Sequence, residues 1–260
     1  MSPTSSNYSH VHPKVRHLIR ASDQDRINLV LSQKWIGYER AKQTIDRIEA
    51  LLNHPPQHRM PGMLVYGRTN NGKTMIVERI LRQHPPNDNP EGDSANIAIL
   101  NIQMPISPDP RRVYTAILSE TFASFNPAKH ISVLERHAIH QMRACGVRML
   151  ILDEFHNMLQ GTDKHQKAFL NLLRYIGNEL KIPIVCFGIQ KSLPALHHDE
   201  QLATRYEPWP LHDWKYDKET ARLLNGVESL LPLKERSNLC LLYTSPSPRD
   251  LSTSRMPSSA

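Results

Sequence analysis

The residues Gly67-Arg68-Thr69-Asn70-Asn71-Gly72-Lys73-Thr74 fit the pattern G-x-x-x-x-G-K-[ST] at every fixed position. These residue types in this order suit a polyphosphate. Glycines at both ends let the backbone wrap closely, so that successive N–H groups of Thr69, Asn70, Asn71 and Gly72 point inward at an anion. A helix beginning here adds its positive N-terminal end. The Lys73 ammonium would reach the β- and γ-phosphates of ATP, and the Thr74 hydroxyl would hold Mg²⁺.

A second group of chemical residues lies well downstream. Met149-Leu150-Ile151-Leu152 is apolar and runs into Asp153-Glu154. A buried strand that delivers two carboxylates at its end puts them where α/β sheets bind ligand. Asp153 would hold Mg²⁺, and Glu154 would orient and deprotonate an attacking water, the arrangement of a hydrolysing NTPase. Gln190 follows another strand end. It could contact the γ-phosphate or the water, or be an ordinary surface glutamine. Arg205, in Thr204-Arg205-Tyr206, could reach a neighbouring subunit's nucleotide as a trans-acting finger, or be a solvated arginine at a helix end.

The elements that must position these residues are legible as alternating strands and helices. Strands are predicted at Met63–Tyr66, Ile97–Gln103, Val147–Leu152, Ile182–Phe187 and, shorter, Glu207–Leu211. Helices are predicted over Glu39–Leu52, Met75–Gln83, Arg112–Phe125, Val133–Ala144, Asp163–Leu180 and Asp217–Leu231, with a short one at Ser192–Leu196. Towards the N-terminus a short helix is expected over Lys14–Arg20, and another starting near Ser22. This alternation predicts a P-loop NTPase of the α/β class, with a doubly wound parallel sheet flanked by helices.

Composition is compatible with that core. Of 260 residues, 39% are hydrophobic and 22% charged, enough for one sizeable α/β domain and a small appendage. Cys145, Cys186 and Cys240 show no metal-ligand spacing, and Cys145 and Cys186, in or beside apolar stretches, are expected to be core thiols in a reducing compartment. No apolar run resembles a signal peptide or reaches membrane-spanning length, so the expected setting is cytoplasmic, with no membrane partner. A net charge of +7 permits an anionic partner such as DNA.

The order of parts resembles an AAA+ ATPase. Within that group, Trp35-Ile36-Gly37-Tyr38, Arg59-Met60-Pro61, the Thr-Asn-Asn-Gly-Lys-Thr loop, Asp153-Glu154-Phe155-His156-Asn157 and Thr204-Arg205-Tyr206 together resemble TniB, an AAA+ transposition ATPase related to TnsC. The resemblance covers about residues 10 to 238. It implies an ATP- and Mg²⁺-dependent homo-oligomer that assembles on double-stranded target DNA and recruits or activates a DDE-type transposase. By match, Gly67, Gly72, Lys73 and Thr74 bind phosphate and Mg²⁺, Asp153 and Glu154 serve Mg²⁺ and hydrolysis, and Arg205 is the finger. Trp35, Ile36 and Tyr38 would lie against adenine, unless they are an aromatic turn packed on the core. Arg111, Arg112, Lys129 and His130 fall in the region that faces the central channel in related ATPases, and are candidate DNA contacts. Two other functions share the same core: a replication initiator or helicase loader, and a module that uses ATP only as an assembly switch.

The expected organisation is an N-terminal extension over 1–26, partly flexible, a nucleotide-binding domain over 27–212, a helical lid over 213–238 and a tail over 239–260. Cys240–Ala260 is rich in Ser and Pro, lacks a helical period and resembles a translated sequencing adapter. It is expected to be non-native and disordered, leaving the lid truncated after its first helix, without its second sensor, and ATP binding or turnover weak.

Overall fold

The computed structural model describes residues 8–89, 94–197, 199–215 and 217–239. The expected tail at 240–260 lies outside the described residues. Two compact units form, one from Arg40–Asp213 and the other from the residues before and after it.

Short helices α1 (Pro13–Arg16) and α2 (Asp23–Leu31) come first. The single helix expected over Lys14–Arg20 breaks at His17 into a 3₁₀ turn, His17–Arg20. Ser22 caps α2 by accepting the Asp25 N–H. The larger unit then runs through α3 (Glu39–Leu52), β1 (Gly62–Tyr66), α4 (Lys73–Gln83), β2 (Ile99–Gln103), α5 (Pro110–Glu120), α6 (Ile131–Ala144), β3 (Met149–Asp153), α7 (Asp163–Leu180), β4 (Ile184–Gly188), α8 (Ser192–His197), α9 (Glu200–Ala203) and β5 (Tyr206–Pro210). The last described helix is α10 (Lys218–Ser229).

The five strands form one sheet in the order β2-β3-β4-β1-β5, and every pairing is parallel. All five residues of β3 and β4 are buried, as are the first four of β1. Helices cover both faces of such strands, which is why their sequences are continuously apolar. The edge strand β5 carries Pro208 and Pro210, which an interior strand could not accommodate. α3 clamps this edge. Arg47 donates twice to Glu207 at 2.8 and 2.7 Å, Trp209 Nε1 donates to Thr44 Oγ1 at 2.9 Å, and the Arg40 guanidinium lies 4.1 Å over the Trp209 ring.

The helix expected over Arg112–Phe125 stops at Glu120. Phe122 adopts a left-handed backbone (φ 55°), and the N–H groups of Phe122 and Ala123 turn back to the carbonyls of Ser119 and Leu118. This is a Schellman stop made without glycine, so the sequence carries no sign of it. α6 ends the same way at Gly146 (φ 64°), where the sequence does announce the stop.

β1 and β5 approach each other tightly at their first residues. A Cβ on Gly62 would lie 2.8 Å from the Tyr206 ring, and Tyr206 is buried. Gly62→Ala is therefore expected to cost about 1–3 kcal/mol of stability through overpacking. Thermal unfolding of the variant beside the parent checks this, and an unchanged midpoint would show that the ring moves aside freely.

The other unit has its own small core of Val11, Val15 and Ile19. His12 N–H donates to Ser229 O of α10 at 2.7 Å, and Arg26 Nε donates to Pro232 O at 3.2 Å. N- and C-terminal parts of the chain thus build one body. Ile36 lies against Gly226, where an added Cβ would meet it at 3.0 Å, and Tyr38 meets Trp214 edge-on at 4.7 Å.

Candidate nucleotide site

β1 ends at Tyr66, and the chain leaves the C-terminal edge of the sheet as the loop Gly67–Gly72. Asn70 (φ 63°) and Gly72 (φ 77°) both have left-handed backbones, which turn successive N–H groups towards one side. Gly72 is the N-cap of α4 and supplies no side chain, so the first-turn N–H groups of α4 remain available to an anion. The Asn71 side chain is buried and donates to the carbonyls of Leu211 and His212 at 2.9 and 3.1 Å. It ties the loop to the segment after β5, so any phosphate contact from Asn71 would come from its backbone.

Lys73 Nζ donates to the carbonyls of Gly67 at 3.1 Å and Arg68 at 2.8 Å. Burial holds its pKa below the ordinary value, against the opposing pull of the Glu154 and Asp153 carboxylates. An ammonium has three protons, so one donor remains for a phosphate oxygen. Thr74 Oγ1 donates to Asp153 Oδ2 at 3.3 Å. That contact crosses from the first turn of α4 to the end of β3, although β4 separates β3 from β1 in the sheet. A hydroxyl beside a carboxylate is a hard oxygen pair that suits Mg²⁺, which takes few protein ligands and completes its shell with phosphate and water.

Asp153 Oδ1 accepts the Glu154 N–H at 2.8 Å. Glu154 itself is left-handed (φ 55°), a strained backbone for a residue with a Cβ, and this turns its side chain off the strand direction. His156 Nε2 lies 3.3 Å from Glu154 Oε2. In the sequence His156 stands out only as part of the Asp153–Asn157 motif. Its position two residues after the acid, inside a 3₁₀ turn, is the signal that could have found it.

A cleft of about 450 Å³ is lined by Thr69–Met75, Glu154, His156 and Ile189. The phosphate-loop residues and Glu154 therefore share one space. Gln190 lines an adjoining cleft of about 830 Å³ with Gly67, Arg68 and His212; Thr69 and Ile189 line both clefts. Trp35, Ile36 and Tyr38 belong to the second unit.

Arg205 lies elsewhere. It precedes β5, and its carbonyl accepts the Gly62 N–H at 3.0 Å. Both residues sit at the N-terminal edge of the sheet, opposite the phosphate loop. The length of β5 between them is about 16 Å at the usual strand rise, beyond the reach of an arginine side chain. Arg205 does not meet the nucleotide cleft of its own chain.

Two of the four candidate DNA contacts have structural duties. Arg111 Nη1 donates to the carbonyls of Pro127 and Lys129 at 2.8 and 2.7 Å, fixing the loop between α5 and α6. His130 caps α6 by accepting the Ser132 N–H. Arg112 and Lys129 are exposed, and their side chains make no hydrogen bond among the described residues.

Comparison with known proteins gives the family and the fold. The family model described as "Bacterial TniB protein" matches residues 26–216. Among solved structures, the chain is similar to the Aeropyrum pernix ORC2 protein in ADPNP–ADP complexes, with a TM-score of 0.53 and 14% identity over 78% of this chain and 56% of that one. It is also similar to Cdc6p from Pyrobaculum aerophilum (TM-score 0.54, 15% identity, 77% of this chain, 53% of that). A third is the Aeropyrum pernix ORC1 protein in complex with DNA (0.52, 15%, 77% and 52%). The chain spans just over half the length of each. No curated protein sequence matches. At such identities the likeness shows the fold, which is the AAA+ type of P-loop architecture.

Proposed function

This chain belongs to the bacterial TniB family, and on that premise we propose that it is an ATP-hydrolysing AAA+ protein that assembles on target DNA and recruits or activates a DDE-type transposase. The observation that carries the ATPase part is the convergence of Lys73, Thr74, Asp153 and Glu154 from two separate chain segments at one sheet edge.

In this reading the backbone of Thr69–Gly72 and the α4 N-terminus hold the phosphates, and Lys73 donates to the terminal ones. Thr74 and Asp153 would hold Mg²⁺, which when bound offsets charge on the β- and γ-phosphates. Glu154 takes a proton from water as the water oxygen bonds to the γ-phosphorus. The bond from that phosphorus to the bridging oxygen breaks, and ADP leaves with the electron pair. His156 holds the Glu154 carboxylate in place. Arg205 supplies charge to a neighbouring copy's γ-phosphate, consistent with its distance from its own cleft, so hydrolysis requires a homo-oligomer.

DNA binding is supported by the net charge of +7 and by the exposed Arg112 and Lys129. The ORC1 relative in complex with DNA is a precedent within the fold. Among the described residues no helix is long and apolar enough to cross a membrane.

ATP hydrolysis measured with and without double-stranded DNA tests this function. Several-fold stimulation is expected, fading with salt, because each phosphate neutralised lowers log K by about 0.9 per log unit of salt. Hydrolysis indifferent to DNA would overturn the DNA-dependent part and favour a protein partner, as in a replication initiator or helicase loader.

A further inference from the structure

Arg59 is one residue of the Arg59-Met60-Pro61 motif that the nucleotide site leaves unexplained. Its backbone is firmly placed. Met60 is buried, the Gln57 N–H donates to Met60 Sδ at 3.3 Å, and Gln57 Nε2 donates to Arg59 O at 3.1 Å. Three residues later, Gly62 N–H bonds to Arg205 O. Arg205 immediately precedes β5 and Arg59 lies three residues before β1, so both sit at the same sheet edge, with Arg59 two residues further out in register.

Their charges are poorly compensated. Among the described residues, neither guanidinium has a carboxylate within ion-pair distance. Arg205 Nη1 donates to the neutral Asn178 Oδ1 at 2.9 Å, while its Nε is buried with no partner. Arg59 is exposed and makes no side-chain hydrogen bond. Burial first, and then repulsion from Arg59, pushes the Arg205 guanidinium below its ordinary pKa. Arg174, the third cation nearby, differs. It is committed to Gln201 at 3.1 Å and Asn171 at 2.7 Å, with Asp199 at 3.9 Å. Asp199 acts on Arg205 only from beyond ion-pair distance, so two guanidinium groups at one sheet edge, on well-placed backbone and without a carboxylate partner, form a receptor for an anion that arrives from outside the chain.

We propose that Arg59 is a second trans-acting cation, which with Arg205 forms a two-guanidinium clamp on the terminal phosphates of the nucleotide held by a neighbouring copy of this chain. This rests on the reading of Arg205 given above. The clamp couples assembly to the nucleotide, because a triphosphate presents the anionic oxygens that relieve the repulsion between the two arginines.

The test uses the full chain and its variants Arg59→Ala, Arg59→Lys, Arg205→Ala and Glu154→Gln. Three readouts are taken: binding of a fluorescent non-hydrolysable ATP analogue to dilute protein, analogue-dependent assembly by sedimentation velocity, and ATP turnover. Arg59→Ala is expected to bind the analogue like the parent, yet to need about 10- to 100-fold more protein to assemble, with turnover reduced by a similar factor. Arg59→Lys should regain part of both, since it keeps the charge without the fork. Mixing Arg59→Ala with Glu154→Gln should restore turnover, because some interfaces then pair an intact Glu154 with an intact Arg59. If Arg205→Ala loses assembly or turnover while Arg59→Ala matches the parent, the clamp is wrong and the Arg205 reading stands. If both variants match the parent, the trans reading fails and the clamp with it. Loss of analogue binding by dilute Arg59→Ala would mean that Arg59 acts within its own chain, which also overturns the proposal.

Discussion

Glu154→Gln is expected to lower ATP turnover about 10²- to 10⁴-fold while ATP affinity stays within the same order of magnitude. The loss corresponds to about 3–5 kcal/mol of barrier. Glutamine keeps the size of the side chain and can still accept a hydrogen bond from His156 Nε2, which lies 3.3 Å from the carboxylate. It cannot take a proton from water. The Thr74–Asp153 contact and the Lys73 bonds to the Gly67 and Arg68 carbonyls do not involve this side chain, so nucleotide should still bind. Assemblies on DNA should become long-lived, because the step that dissolves them is blocked. Parallel measurement of single-turnover hydrolysis and nucleotide affinity separates the two effects. A variant with parental turnover would show that another group activates the water. A variant that loses binding would show that Glu154 is structural.

Lys73→Ala is expected to weaken ATP binding about 10- to 100-fold and to abolish nucleotide-dependent assembly. Two of the ammonium's protons already organise the phosphate loop through the carbonyls of Gly67 and Arg68. Its removal deletes the remaining donor to phosphate and loosens the loop. Lys73→Arg should not rescue, because the bulkier planar guanidinium cannot reproduce a point charge under two carbonyls. Unlike Glu154→Gln, this variant should fail before chemistry, with no DNA assembly at any salt. Titration with a fluorescent ATP analogue checks it, and parental affinity would sink the assignment of Lys73 as the phosphate ligand.

These two predictions rest on residues that were legible in the chain, because each depends on a contiguous stretch. Gly67–Thr74 builds its own cradle from local backbone turns and the start of one helix. Asp153-Glu154 follows a continuously apolar strand, and the end of a parallel strand is a ligand-facing edge wherever the strand sits. Helix stops were legible where glycine marks them, as at Gly146, and missed where Phe122 takes the left-handed turn instead.

The sequence by itself thus determined the fold class and the two chemical stretches, since local periodicity and spacing encode those, and its motifs carried the resemblance to the family. Only the tertiary structure decided which distant residues meet. The strand order interposes β4 between β1 and β3, yet brings Thr74 to 3.3 Å from Asp153. Glu154 lines one cleft and Gln190 the adjoining one, with Thr69 and Ile189 lining both. The parallel pairing of β1 with β5 brings Arg59 and Arg205 to the same sheet edge, opposite the phosphate loop. The residues around Val11 join α10 in one body though almost the whole chain lies between them. Such pairings come from burying apolar faces against one another and satisfying backbone groups across a sheet. Those forces act between segments far apart in sequence, so no local spacing records them.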